Sequence, residues 1–107
     1  MASKKESCCA SNLNIGEIPP DDSVKKQVEC FKALSDPARL KIVYALSGGD
    51  LCVCELMDLL QMHQTTVSHH LKVLKYAQII TDHKSGKWVN YSLANKKVLD
   101  ALKIIGA

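Results

Sequence analysis

Cys52 and Cys54 stand two residues apart in Leu51-Cys52-Val53-Cys54-Glu55-Leu56, and Cys8 and Cys9 form an adjacent pair near the N-terminus. Thiolates are soft donors, and several of them converging on one point select thiophilic ions over magnesium or calcium. A dozen residues after the first pair comes Thr65-Thr66-Val67-Ser68-His69-His70-Leu71-Lys72. It presents hydroxyls, imidazoles and an ammonium, the groups that meet base edges and phosphates in a DNA groove. Together the two segments point to a regulatory chemistry, in which an ion held by thiols acts on a neighbouring DNA-reading helix.

The elements that must position these groups can be read from the apolar pattern. Residues 1–20 mix Ser, Asn, Lys and Gly, end in Pro19-Pro20 and show no sustained apolar period, so they read as a flexible arm carrying Cys8 and Cys9. Residues 21–107 read as one domain. Val24, Val28, Phe31 and Leu34 recur at helical spacing. Asp36-Pro37 is a cap followed by a first-turn proline, so a second helix should start there, turn Leu40, Val43 and Leu46 inward, and stop at Gly48-Gly49. A third helix is expected to begin near Leu51 or Cys52 and to bury Leu56, Leu59 and Leu60. Thr65 or Thr66 should cap a fourth, with Val67, Leu71 and Leu74 on its inner face.

After Ala77 the period changes to two. Ile79–His83 and Trp88–Leu93 flank Lys84-Ser85-Gly86-Lys87, which reads as a hairpin with a basic tip. Asn95 can cap a last helix bearing Val98, Leu99, Leu102 and Ile105. The fold class expected is mainly α with a small β-hairpin wing, a winged helix-turn-helix. An apolar terminal stripe on so short a chain favours a homodimer.

With Val67, Leu71 and Leu74 inward, the fourth helix turns Thr66, Ser68, His69, Lys72 and Lys75 outward, and the hairpin adds Lys84 and Lys87 beside Trp88 and Tyr91. His69 reads as a groove contact and His70 as a partly packed side chain, because adjacent helix positions point about 100° apart and chelate poorly. Residues 65–91 hold four lysines and one acid, Asp82, whereas residues 50–58 hold Asp50, Glu55 and Asp58 with no basic residue. The net charge of +3 is mild, so it is this gathering of positive charge that favours double-stranded DNA as the partner.

Cys52 and Cys54 would lie about 200° apart in a regular helix, so both can face one ion only at a frayed or unwound helix start. The helix N-terminus also favours thiolate over thiol. No apolar run approaches the roughly 20 residues that span a bilayer, and the N-terminus has no secretory pattern, so a cytoplasmic protein with reduced thiols and no membrane partner is expected. Cys30, beside Phe31, reads as core. No residues suggest an enzyme. The competing readings are a thiol-based redox-sensing repressor and a metal carrier that does not bind DNA, which would leave the basic hairpin without a task.

Four segments carry a resemblance: Ala33-Leu34-Ser35-Asp36-Pro37-Ala38-Arg39-Leu40-Lys41-Ile42, Leu51–Leu56, Val67-Ser68-His69-His70-Leu71 and Gly86-Lys87-Trp88-Val89-Asn90-Tyr91-Ser92-Leu93. Over roughly residues 22–105 the chain resembles the ArsR/SmtB family of metal-responsive repressors. The resemblance implies a homodimer that releases its operator on binding a metal ion or metalloid. It implies ligands at Cys52 and Cys54, in a Cys-Val-Cys box that marks arsenic, antimony, cadmium and lead sensors. Where one arsenic-sensing form has a third cysteine three residues after the box, this chain has Met57. Cys8-Cys9 resembles the arm pair of other members. The zinc site that some members build on the last helix is not expected, since Asp100 has no histidine or glutamate near it there. As(III) or Sb(III) needs three sulfurs and Cd(II) or Pb(II) takes three or four, with Zn(II) a further candidate; the resemblance of Gly86–Tyr91 favours arsenite.

Overall fold

The computed structural model describes residues 15–106. Residues 15–20 lead without regular structure into α1 (Asp21–Leu34), which is followed by α2 (Pro37–Leu46), β1 (Leu51–Cys52), α3 (Val53–Leu60), α4 (Gln64–Tyr76), β2 (Ile80–Ser85), β3 (Trp88–Leu93) and α5 (Lys97–Gly106). Cys8 and Cys9 lie outside the described residues.

The local signals explain most of these boundaries. Asp36 takes an extended conformation and its Oδ2 accepts the N–H groups of Ala38 (2.9 Å) and Arg39 (3.2 Å), so α2 starts at Pro37 with two of its free donors satisfied. Asn95 Oδ1 accepts the Lys97 N–H at 2.8 Å and starts α5 in the same way. Gly86 opens the two-residue turn between β2 and β3 with φ 65°, which a side chain would resist and which a type II′ turn needs at that position.

Three starts differ from the sequence expectation. Leu51 and Cys52 form a short strand, not the first turn of α3, because their backbone pairs with β3: Leu51 faces Tyr91 and Cys52 faces Asn90. The sheet order is β1-β3-β2. The cap of α4 is His63, in an extended conformation, not Thr65 or Thr66; both threonines lie inside the first turn. Strand β2 begins at Ile80 and runs on to Ser85, so the hairpin tip is only Gly86-Lys87.

The core lies where α2, α3, α4 and the base of the hairpin meet. Ile42, Val43, Leu56, Val67, Leu71, Leu74 and Ile79 are fully buried there, each large side chain stabilising the fold by about 1.5–3 kcal/mol through lost apolar exposure. Val67, Leu71 and Leu74 thus occupy the inner face that their spacing predicts. Elsewhere the apolar stripes are covered only in part. Leu40 is half-buried, and Ile42 takes the deeper place. Leu59, expected inside, is 61% exposed at the edge of an open depression shared with Lys41, Tyr44 and Ala45 of α2. In α1 only Ala33 and Leu34 are buried, leaving Phe31 61% exposed; Ile104 and Ile105 of α5 are 79% and 71% exposed. Cys30 packs against the core, and burial raises its thiol pKa. Among the described residues no helix is long and apolar enough to cross a membrane.

Candidate DNA-binding face and metal-binding thiols

Helix α3, the turn at residues 61–63 and α4 make the helix-turn-helix. The turn reverses because Gln61 adopts a left-handed backbone (φ 54°) and Met62 N–H donates back to Met57 O at 3.3 Å. Burial of Val67, Leu71 and Leu74 against α2 and α3 then decides which side of α4 faces out. Gln64, Thr65, Ser68, His69 and Lys72 surround a shallow depression of about 320 Å³ on that side. Ser68, His69 and Lys72 are therefore brought together as the sequence predicts. Thr66 is exposed but outside this depression. Thr65, which opens the DNA-reading segment, also lines the depression, as does Gln64, which the sequence reading leaves out; the i, i+4 relation of Gln64 to Ser68 is the signal that places it there.

Lys75 has another partner. Its Nζ lies 2.8 Å from Asp82 Oδ2 on β2, and this hydrogen bond, with the Asp82 charge, raises the Lys75 pKa. The pair pins the end of α4 to the wing, and a phosphate contact by Lys75 would have to replace it. Lys84 and Lys87 are exposed on the wing, Lys87 in the tip itself, and Trp88 beside it is 60% exposed. Tyr91, half-buried under β1, has its phenol pKa raised, first by burial and then by the Asp82 charge.

The thiols sit at the junction of β1 and α3. Cys52 is the N-cap of α3 with φ −95° and ψ 170°, half-buried; Cys54 is exposed in the first helical turn. Because Cys52 lies outside helical geometry, the 200° separation of a regular helix does not apply to the pair. Glu55 Oε1 accepts the Cys52 N–H at 3.0 Å, and that bond lowers the Glu55 pKa first, with a further contribution from the thiol. The Glu55 carboxylate thus holds the start of α3 closed.

Two sulfurs do not complete a site for a trivalent metalloid or a divalent ion. Among the described residues no group of three or more His, Cys, Asp and Glu side chains is placed to hold a metal. The donor set fits a soft ion only if further ligands are supplied, and Cys8 and Cys9 are the thiols outside the described residues.

Sequence reasoning also missed the link between this junction and the wing. Cys52 pairs with Asn90, Asn90 pairs with His83, and His83 Nε2 stands 3.4 Å from Asp50 Oδ2. The box thus begins on a strand paired directly with the basic hairpin and is in chain continuity with the helix that packs on α4.

Comparison with known proteins agrees with this architecture. Residues 36–82 match the family described as bacterial regulatory protein, arsR family. The chain is 43% identical over 79 residues to the arsenical resistance operon repressor of Escherichia coli K12, covering 73% of this chain and 68% of that protein. It is 44% identical over 75 residues to a cadmium resistance transcriptional regulatory protein of Listeria innocua, covering 69% of this chain and 63% of that one. The crystal structure of the transcriptional repressor PagR of Bacillus anthracis superposes with a TM-score of 0.70 at 30% identity, covering 78% of this chain and 97% of that chain.

Proposed function

The chain belongs to the ArsR family of bacterial regulatory proteins, and from that premise we propose that it is a homodimer that leaves its operator when its thiol box takes up a soft ion. At the coarser level it is a winged helix-turn-helix transcriptional repressor that binds DNA, and not an enzyme. The finer reading assigns Cys52 and Cys54, with Cys8 and Cys9, as ligands. It assigns Ser68 and His69, with Thr66, to base edges, and Lys72, Lys84 and Lys87 to phosphates.

The observation that carries it is the position of Cys52, half in the wing sheet and half in the cap of α3. When bound, a soft ion would supply only a point on which thiolates converge, each having lost its proton. The work is done by the chain. An ion drawing Cys52 and Cys54 to one point would pull on the junction of β1 and α3, where the Glu55 contact holds the helix start. Cys52 is paired with β3 and α3 packs on α4, so a shift at the box would reach both. The spacing of wing and recognition helix would then no longer match the DNA groove.

The exposed apolar residues of α1 and α5 support a dimer through these helices, with two recognition helices about 34 Å apart on an inverted-repeat operator. The relatives named for arsenical and cadmium resistance are about equally similar, so arsenite rests on the wing sequence Gly86–Tyr91. Cytoplasmic residence accords with reduced thiols.

The test is operator release, followed by fluorescence anisotropy under reducing conditions, over titrations of arsenite, antimonite, Cd(II), Pb(II) and Zn(II). The wild-type protein should release DNA, and Cys52→Ser/Cys54→Ser should bind DNA but not release it. Release by that variant at wild-type concentrations would sink the thiol box. Release only after peroxide would favour a redox sensor, and failure of the protein to bind promoter DNA would favour a carrier.

A further inference from the structure

We propose a second soft-ion site, suited to a monovalent ion such as Cu(I) or Ag(I), in the depression between α3 and the cap of α4. This open depression, of about 460 Å³, is lined by Cys54, Met57, Asp58, Gln61, Met62 and His63. Three of these side chains end in or contain sulfur and a fourth is an imidazole. Cys54 and Met57, three residues apart in α3, share one helix face. The left-handed Gln61 and the Met62 N–H to Met57 O bond of 3.3 Å reverse the chain so that the second methionine returns beside the first. Gln61 Nε2 donates to Asp58 O at 2.7 Å and holds the reversal. His63 follows directly as the cap of α4.

The ligand class follows from the donors. A thioether is neutral and soft. It cannot form the third thiolate bond that a trivalent metalloid requires, and it holds Zn(II) poorly, but thiolate with thioether is a donor set that selects Cu(I). One thiolate also balances the charge of a monovalent ion. Cys54 would lose its proton to solvent on binding, and no oxidation is involved. An ion there would join the first turn of α3 to the cap of the recognition helix, across the turn that sets their angle. Both methionines also pack against the core with part of their surface, so a purely structural role is the alternative. The proposal shares Cys54 with the thiol box and rests to that extent on its reading as a ligand.

Ag(I), which unlike Cu(I) neither disproportionates nor oxidises in air, is the probe. Its affinity would be measured by chelator competition on the full-length protein carrying Cys8→Ser and Cys9→Ser, because the arm thiols would otherwise compete for the same soft ion. Met57→Leu/Met62→Leu preserves volume and should weaken Ag(I) binding by more than about tenfold, since even outer-shell losses cost that much. Its arsenite and cadmium responses, measured with Cys8 and Cys9 present, should stay as in the wild type. Cys52→Ser, which disables the box but leaves this depression whole, should retain Ag(I) binding. Undiminished Ag(I) affinity in the double methionine variant would overturn the site, as would its loss in Cys52→Ser. The thiol box can fail its own test while Ag(I) still depends on Met57 and Met62, so the two proposals fall separately. Urea denaturation of the double variant checks that it folds. If it does not, Met62→Leu alone should still lower Ag(I) affinity, and an unchanged affinity there would equally overturn the site.

Discussion

Arg39 Nη1 lies 3.2 Å from Nδ1 of His70, joining the first turn of α2 to the middle of the recognition helix. An arginine can only donate, so in the neutral imidazole this ring nitrogen accepts and the proton sits on Nε2, 4.0 Å from Asp36 Oδ2. The same guanidinium donates through Nε to Ala33 O at 2.6 Å and closes the end of α1. One side chain therefore ties together α1, α2 and α4. Replacing His70 by Leu should destabilise the fold by about 1–2 kcal/mol, since a donor of Arg39 loses its partner. Operator affinity should fall while its salt dependence stays unchanged, because no phosphate contact is removed. Urea unfolding and anisotropy at several salt concentrations would measure both; a reduced salt slope would mean that His70 reaches DNA directly.

The Asp36 carboxyl is held below the usual carboxylate range. The Arg39 backbone N–H is the main cause, opposed by partial desolvation and assisted by the charges of His70 and Arg39 and by the Ala38 N–H. A depressed pKa gives stability that is present above the unfolded value, near 4, and is lost as pH falls through the lower folded value. Asp36→Asn retains a capping oxygen but cannot titrate. Its urea midpoint should therefore fall less than that of the wild type as pH drops below about 4. Parallel pH profiles for the two proteins would contradict the assignment.

Lysines of the two faces should behave differently. Lys72→Ala and Lys87→Ala should each lower the slope of log affinity against log salt by about 0.9. Lys75→Ala should leave that slope unchanged, because its ammonium is engaged with Asp82 at 2.8 Å. A drop of about 0.9 in Lys75→Ala as well would show that the pair opens on DNA.

Phe31 and Ile105 are exposed on α1 and α5. Phe31→Glu and Ile105→Glu should give folded monomers in sedimentation and weaken operator binding, since half-sites would no longer be joined. A dimer that persists in both variants would place the contact elsewhere.

Local sequence specifies the order of the five helices and the hairpin, the inner face of α4, the caps at Asp36 and Asn95 and the turn at Gly86. Each of these depends on neighbours within about one helical turn or one hairpin, where side-chain type and backbone preference act directly. The remaining features depend on long-range packing. A two-residue strand has no period to read, so only pairing with Asn90 and Tyr91 moved Leu51 and Cys52 out of α3. Periodicity marks Phe31 and Leu59 as apolar-face residues, but burial needs a covering surface, and within one chain both stay 61% exposed. Lys75 looked like its neighbour Lys72 until β2 brought Asp82 beside it, and His70 found Arg39 from 31 positions away. Contacts between residues distant in sequence are set by how the packed elements meet, and no local pattern encodes that meeting.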